Sequence, residues 1–287
     1  MSIQALLGRE SAVPSVFSWN ARDVRIYAVG VGADERFSSP GSTGSPLRPI
    51  PSFAVLPGAS ARRQLDLSEM PRDRTVHASQ SLEIRRPLPV SGMLTTTCRV
   101  VGVWDKGSGA VVETEAVSRD AGTGEIAIVN SSMSFVRGSG DFGGDRGPSL
   151  ATHLPEREPD VQLDYRTTDD QAVLYCLSGD DNPLHWDPDF ARRSGFERPI
   201  LHGLCTYGFA TRALVDAVCE GDPNRLRAIS ARFSAVVFPG QLLTVAVWRQ
   251  ADEAWFRVSV GGTTVLDLGH CSFDGAAGIA GEKGVRQ

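Results

Sequence analysis

The chain has 287 residues, of which 41% are hydrophobic and 22% are charged, and its formal net charge is −5 at pH 7. This composition is typical of a folded globular protein and excludes an intrinsically disordered chain. The acidic balance argues against a dedicated nucleic-acid-binding protein, because such proteins usually carry a basic face. There is no run of about 18 apolar residues, so no membrane span is expected.

The cellular location is expected to be the cytoplasm. The first residues lack the basic and apolar segments of a signal peptide, and the last residues differ from a peroxisomal S-K-L signal. The five cysteines are widely spaced and form no C-x-x-C pair, so neither a disulfide framework nor a zinc site is indicated. We expect reduced cysteines that are mostly buried.

The first half of the chain predicts one helix and a set of strands. Residues 52–63 are the candidate for the helix, although Pro57 and Gly58 are poor helix formers. Stretches rich in β-branched residues follow, and the turns D-K-G-S-G and D-A-G-T-G-E separate them. These stretches predict three antiparallel strands, at 94–103, 109–117 and 126–136.

The chain changes character near its middle. Residues 138–160 are rich in Gly and Pro and have little apolar periodicity, which is typical of a linker. We therefore divide the chain into an N-terminal domain (1–140), a linker (141–163), a C-terminal domain (164–275) and a flexible tail (276–287).

The second half repeats the order of elements found in the first. Apolar residues at helical spacing predict a long helix at 202–219, with Gly221 just beyond its end. Strands are predicted after it, at 227–238, 241–250, 254–260 and 263–273. One long helix followed by antiparallel strands predicts an α+β fold in which a sheet wraps around the helix, and the matching order suggests a degenerate duplication.

The segment from 175 to 202 carries the most chemistry. Thr168 and Gln171 form a candidate capping box for a short helix that ends at Gly179. Four polar residues follow in a loop that Pro183 holds extended: Asp180, Asp181, Asn182 and His185. An imidazole and a carboxylate side by side can share a proton transfer near neutral pH. On spacing alone, ordinary turn and helix-capping chemistry is the more frequent explanation of the same residues.

Longer motifs connect this loop to a known family. Three consecutive motifs closely resemble the signature of the MaoC-like (R)-specific enoyl-CoA hydratases, the hydratase 2 family. They are S-G-D-x-N-P-L-H, then D-P-x-F-A, then P-I-L-H-G-L-C-T. Further matches are A-R-F at 231–233, V-F-P-G-Q at 237–241, H-A-S-Q-S-L-E-I-R-R-P-L-P at 77–89, D-K-G-S-G at 105–109 and G-S-G-D-F-G-G at 138–144. The resemblance covers most of the chain, including the linker.

The resemblance implies a double hot-dog fold, which is two long helices each wrapped by an antiparallel sheet, with the catalytic segment only in the second copy. It implies reversible syn hydration of trans-2-enoyl-CoA to (3R)-3-hydroxyacyl-CoA by a homodimer, without a metal or a redox cofactor. Asp180 and His185 would form the catalytic dyad, Asn182 would orient the reacting water, and the Gly203 N–H would bind the thioester oxyanion. Coenzyme A is then part of the substrate.

The resemblance also places substrate contacts in both halves, at His77, Ala78, Lys106, Asp181 and Phe233. A solvent-exposed hairpin position explains Lys106 equally well, and core packing explains Phe233 equally well. The family usually has H-G-E-Q where this chain has H-A-S-Q at 77–80, which bears on the acyl preference. The first half is implied to accommodate a long or bulky acyl chain, whether straight, branched or steroid.

Other candidates have simpler explanations. His202 is interpreted as a helix-start residue bonded to nearby backbone, and Asp187 and Asp189 as a helix cap. Tyr175 and Tyr207 are expected to be buried with bonded hydroxyls, and His153 and His270 have no acidic partner nearby in the sequence. Two alternative functions stay open: a non-catalytic acyl-CoA-binding subunit, and a hot-dog acyl-CoA thioesterase that would release free CoA.

Overall fold

Ten antiparallel strands form one sheet in the computed structural model, which describes residues 2–38, 46–148 and 153–275. The strands of the first half are β1 (Ser15–Trp19), β2 (Thr75–Ile84), β3 (Gly92–Asp105), β4 (Gly109–Asp120) and β5 (Ile126–Arg137). Those of the second half are β6 (Val161–Arg166), β7 (Leu226–Phe233), β8 (Leu242–Gln250), β9 (Glu253–Val260) and β10 (Thr263–Phe273). The predicted tail at 276–287 lies outside the described residues.

The two halves of the sheet have the same topology. The order across the sheet is β1-β3-β4-β5-β2-β7-β10-β9-β8-β6, so each half places its second strand at the centre and its first strand at the edge. The halves meet where β2 and β7 pair antiparallel, with Leu82 opposite Ile229. The predicted α+β double hot-dog is therefore confirmed.

The helices come mostly before the four consecutive strands of each half. They are α1 (Ala21–Gly30), α2 (Glu35–Ser38), α3 (Val55–Arg62), α4 (Gln171–Cys176), α5 (Pro188–Arg193) and α6 (Gly203–Val218). Among the described residues, no helix has both the length and the apolarity needed to cross a bilayer.

The predicted helix at 52–63 is confirmed despite its Pro and Gly. A 3₁₀ turn at Pro51–Ala54 runs directly into α3. Pro57 lies in the first turn of α3, where its missing N–H costs nothing. A Cβ on Gly58 would lie 2.8 Å from the Asn130 amide nitrogen, so glycine allows α3 to pack closely on β5.

The core is shared by the two halves. Every residue of α6 from Cys205 to Val215 is buried, as expected of a helix enclosed on all sides. The Tyr207 hydroxyl donates to the Ile229 carbonyl at 2.7 Å, which ties α6 to the central strand β7. Tyr27 and Phe53 of the first half belong to the same apolar cluster. At about 1.5–3 kcal/mol for each large side chain buried, this shared core stabilises both halves together.

The linker is held in place more firmly than its composition predicts. The Asp105 carboxylate accepts N–H groups from Gly107, Asp141 and Gly143 at 2.9–3.0 Å, which fixes the start of the linker to the β3–β4 turn. These hydrogen bonds, that of Gly107 first, lower the pKa of Asp105. The far end of the predicted linker is also ordered, because β6 begins at Val161.

Two element boundaries differ from the sequence-based expectations. The strand predicted at 227–238 ends at Phe233, and the chain then leaves the sheet so that the Val237 carbonyl can accept the Leu201 N–H at 2.7 Å. The predicted capping box is half formed: the Thr168 N–H donates to Gln171 Oε1 at 3.3 Å, whereas the Thr168 hydroxyl bonds to the Asp170 carboxylate.

Candidate active site

The loop between α4 and α5 brings three side chains together. Gly179 has a φ of +103°, a conformation that suits glycine, and it turns the chain away from α4. Asp180, His185 and His202 each offer one polar side-chain atom, and these three atoms lie within 4.8 Å of one another. His185 ends a short 3₁₀ turn at Pro183–His185 and is only 9% exposed.

The hydrogen bonds of His185 define its proton position. Its Nδ1 lies 2.8 Å from the Ile200 carbonyl oxygen, and a carbonyl can only accept. Nδ1 therefore carries the proton, and the lone pair of Nε2 is free to accept one. Burial lowers the pKa of His185, against the opposing effects of the Ile200 carbonyl and the Asp180 carboxylate. The side chain is therefore a neutral base at pH 7.

His202 contacts both of these residues. Its ring stacks on the His185 ring with centroids 3.6 Å apart, and its Nε2 donates to the Asp180 carbonyl oxygen at 3.1 Å. It is 1% exposed, and burial together with the nearby His185 lowers its pKa to about 2. The expected bond from His202 to nearby backbone is present. The contact with His185 could not be inferred from the sequence, because 17 positions separate the two residues.

Gly203 begins α6 directly beside His202. The N–H groups in the first turn of a helix have no partner inside the helix, and the helix dipole makes this end positive. A Cβ on Gly203 would lie 3.0 Å from the Phe233 ring, so glycine keeps the entrance to this helix end open. An anionic oxygen could approach the backbone here.

Phe233 connects residues of the first half to the start of α6, because its ring lies beside both His77 and Gly203. The Phe233 ring lies 4.5 Å from the His77 ring, measured between centroids. His77 Nε2 is 3.0 Å from both the Ser79 carbonyl oxygen and the Ser132 hydroxyl. Burial first, and then the nearby Arg62, lower the pKa of His77 to about 4. Ala78 lies at a register shift between His77 and Ser79 in the pairing of β2 with β5.

Three of the predicted site residues already have local partners. The Asn182 side-chain oxygen accepts the Leu184 N–H at 3.2 Å, which caps the 3₁₀ turn. Asp181 is exposed, and its carbonyl oxygen accepts the Trp186 ring N–H at 3.0 Å. The Lys106 ammonium donates to the Arg146 carbonyl in the linker, and none of its hydrogen bonds reaches the Asp180 loop.

The remaining candidates have structural roles or new partners. Asp187 caps α5 by accepting the N–H groups of Asp189 and Phe190, as expected. The buried Tyr175 hydroxyl makes no hydrogen bond of 3.5 Å or less among the described residues, although the nearby Tyr27 hydroxyl interacts with it and, second to burial, helps to raise its pKa. His270 does have an acidic neighbour, because its Nε2 lies 3.6 Å from Glu253 on the adjacent strand.

A cleft of about 220 Å³ opens beside His185. Trp186 and Arg198 border it, and Trp186 is 50% exposed. The cleft borders His185, whereas Asp180, Gly203 and Phe233 are not among its lining residues. Its other lining residues are Asp169, Ala172, Val173, Pro199 and Pro239.

Comparison with known proteins agrees with this geometry. Residues 151–269 match the MaoC like domain, and residues 17–138 match the MFE-2 hydratase 2 N-terminal domain. The chain is 39% identical over 266 residues to "Enoyl-CoA hydratase 2, peroxisomal" of Arabidopsis thaliana, covering 85% of this chain and 86% of the relative.

Two further relatives define the extent of the likeness. The chain is 39% identical over 287 residues to "Peroxisomal multifunctional enzyme type 2" of Drosophila melanogaster, covering 94% of this chain and only 47% of that longer protein. The crystal structure of a MaoC-like dehydratase from Phytophthora capsici superposes with a TM-score of 0.85 at 31% identity, covering 96% of this chain and 99% of that one. With one family domain matched in each half, the chain belongs to the MaoC-like hydratase 2 family.

Proposed function

We propose that this chain catalyses the reversible syn hydration of trans-2-enoyl-CoA to (3R)-3-hydroxyacyl-CoA. The observation that carries the proposal is the neutral His185, whose Nε2 is unprotonated, next to Asp180 and to the open N-terminus of α6. Addition of water to a conjugated thioester needs a base, a proton donor and a site for enolate charge. The printed names of its relatives, enoyl-CoA hydratase and 3-hydroxyacyl-thioester dehydratase, support the same reaction.

The first step uses His185 as the base. A water held by the Asp180 carboxylate gives a proton to His185 Nε2, and its oxygen forms a bond to C3. The C2=C3 electron pair moves to form an enolate, whose charge collects on the thioester oxygen at the Gly203 N–H.

The second step returns the proton. The His185 imidazolium protonates C2, the enolate collapses to the thioester, and the neutral imidazole is regenerated. Asp180 stabilises the imidazolium while it exists. Because one group handles the proton on one face of the double bond, the water adds syn. Side chains, backbone and water suffice for this scheme.

The substrate contacts follow the same line of residues. We place the thioester at Gly203 and the first carbons of the acyl chain along Phe233, His77 and Ala78, with the rest of the chain entering the first half. Lys106 and Asp181 are proposed to contact the CoA portion near the surface. Asn182 is proposed to orient the reacting water through its amide group.

Two further properties are proposals that rest on the resemblance and on the end segments of the sequence. We propose a homodimer, which the mass in solution measured by light scattering tests. We propose a cytoplasmic location, which fractionation of the source cells tests; several relatives carry "peroxisomal" in their names.

The test is hydration of purified trans-2-enoyl-CoAs of graded length. Enoyl-thioester absorbance should fall, and chiral analysis should identify the 3R alcohol. A parallel assay for free CoA separates this outcome from a thioesterase. Release of CoA without alcohol, or tight binding with neither product, would contradict the proposal and favour one of the two alternatives.

A further inference from the structure

The first half contains a half-buried cation, Arg62, that has no anion beside it among the described residues. Arg62 is the last residue of α3, and it makes no salt bridge among the described residues. Its Nη2 donates to the Ser134 hydroxyl at 3.0 Å, whereas its Nε is buried and has no hydrogen-bond partner in the described part of the chain. Burial lowers the pKa of Arg62, yet a guanidinium stays charged at pH 7. The buried Nε–H has lost water without gaining a partner, which is unfavourable unless an acceptor joins it.

The surroundings of Arg62 are polar where the other half is apolar. The inward face of β5 carries Asn130, Ser132 and Ser134 in succession. The corresponding strand of the second half, β10, turns Cys271 and Phe273 inward, and both are almost fully buried. These side chains are already bonded, Ser132 to His77 and Ser134 to Arg62, and a polar face of this kind suits a polar ligand better than a hydrocarbon chain.

This polar face leads back to the proposed active site. Ser132 bonds to His77, and Ser134, two residues further along β5, bonds to Arg62. His77 packs on Phe233, which borders Gly203. His77 and Arg62 are therefore neighbours along β5, close enough that the Arg62 charge, second to burial, helps to lower the pKa of His77. Arg62 as a whole is only half-buried, so solvent reaches part of it.

We propose that Arg62 binds a carboxylate carried by the far part of the acyl chain, so that the preferred substrates are enoyl-CoAs with a carboxylated acyl group. The inference rests on the proposed hydratase function and specifies its substrate class. The free Nε–H and the other unused guanidinium N–H groups would donate to the two carboxylate oxygens, a geometry for which arginine is well suited. The Ser134 hydroxyl would hold the guanidinium in place.

The test compares pairs of trans-2-enoyl-CoAs of equal length that end in a methyl group or a carboxylate. The wild-type chain should favour the carboxylate, measured as kcat/KM, by at least about 10-fold at one length, since sites built for a polar group discriminate strongly. Arg62→Met removes the charge and keeps an unbranched side chain of similar width, and it should abolish that preference. Arg62→Lys keeps the charge and should retain part of it.

Arg99→Met is the matched control. Arg99 lies in the same half, is exposed, and pairs with Glu115, so its loss should leave the preference unchanged. An Arg62→Met preference equal to that of the wild type would overturn the proposal. Circular dichroism checks that the variants are folded, and Arg62→Lys carries the test if Arg62→Met is not.

A second arm identifies the source of the anion. The same pairs are made as pantetheine thioesters, which lack the nucleotide phosphates. The effect of Arg62→Met should persist with them; if it disappears, Arg62 binds a CoA phosphate and the proposal is wrong.

Calorimetric binding of the saturated acyl-CoA pairs measures the same preference without turnover. Failure of hydration with a persisting binding preference would contradict the proposed function alone. Normal hydration of methyl-ended chains, with no carboxylate preference in either assay, would contradict the Arg62 proposal alone.

Discussion

In each half of the molecule a similar short sequence leads into the main helix, but the residue at its end differs. The second half reads P-I-L-H-G from Pro199 to Gly203, and the first reads P-I-P-S-F from Pro49 to Phe53. Phe53 is 1% exposed, and its ring packs edge-on against Tyr27 with centroids 5.5 Å apart. In this alignment an aromatic residue of the first half stands at the position that Gly203 occupies in the second.

The same comparison explains where chemistry is possible. In the second half, an imidazole and an open helix end lie beside a carboxylate. In the first half, Ser52 stands where His202 would be, and its hydroxyl is buried without a hydrogen-bond partner among the described residues. The two halves are therefore scaffolds of the same topology, and we propose that differences at one helix start decide which of them can bind an oxyanion.

The largest expected effect comes from the dyad of the second half. Asp180→Asn and His185→Ala should each lower kcat at least about 10²-fold, because each removes one partner of the proton transfer. Steady-state hydration kinetics on folded variants measure this. Near-normal turnover in both variants would show that the chemistry lies elsewhere.

Making the second half resemble the first should also stop the reaction. Gly203→Phe places a ring where Phe53 stands in the other half, and it should lower kcat roughly 10²- to 10³-fold by blocking the oxyanion donor. Gly203→Ala is the graded control, because its Cβ would lie 3.0 Å from the Phe233 ring. A folded Gly203→Phe protein that hydrates substrate at the normal rate would contradict the role of Gly203.

The reverse change in the first half should affect stability and leave the chemistry largely intact. Phe53→Ala removes a buried ring and should lower the free energy of unfolding by about 3–5 kcal/mol. Urea unfolding measures the loss. Val16→Ala, at a position that is 61% exposed, should change it by less than about 0.5 kcal/mol. Equal effects of the two substitutions would mean that Phe53 is not part of the shared core.

Acid should destabilise both halves through buried neutral histidines. His77 has a pKa of about 4 and His202 of about 2 in the folded chain, whereas an unfolded histidine titrates near 6.5. Between these values the unfolded chain binds the proton and the folded chain does not, so the free energy of unfolding falls as the pH drops below 6.5.

The slope for each such histidine is up to about 1.4 kcal/mol per pH unit. Urea unfolding at a series of pH values from 7 to 4 measures it, and His77→Gln should reduce it. A stability that does not change across this range would contradict the burial of neutral imidazoles. The lowered pKa of His185 also predicts that kcat/KM decreases on the acid side, where the base becomes protonated.

The smallest effect is expected at the β3–β4 turn, where Lys106 contacts the linker. Lys106 uses one of its three N–H groups on the Arg146 carbonyl, which leaves two for a CoA phosphate. Lys106→Met should raise KM by a few-fold, as expected for an exposed charged contact, with kcat unchanged. An unchanged KM would show that Lys106 does not contact the substrate and only binds the Arg146 carbonyl.

The sequence predicts the strongly patterned elements of this fold and not the others. β3, β4, β5 and α6 follow from β-branched runs and helical spacing. The sequence does not predict β2, because polar residues such as Gln80 face inward and Ala78 lies at a register shift. The strand therefore lacks a clear alternation of apolar and polar residues. The Asn20 and Asp23 capping box of α1 is readable from the sequence and was missed.

The candidate site shows the same division. Asp180 and His185 are five residues apart, and a family motif marks them. The proton position on His185 depends on the Ile200 carbonyl, and the stacking of His202 depends on how α6 meets the loop. The isolation of Arg62 is likewise a property of packing, since nearby acidic residues in the sequence do not reach it. Such contacts between distant positions have no local signal.

Hydration of one trans-2-enoyl-CoA in deuterated water tests directly whether His185 and Asp180 add the water and the proton to the same face of the double bond. We expect a 3R alcohol whose C2 deuterium and C3 oxygen were added to the same face of the double bond. The measurement is NMR of the isolated product together with chiral analysis. A 3S alcohol, or deuterium and oxygen on opposite faces, would contradict the assignment of His185 and Asp180 as a single acid–base unit.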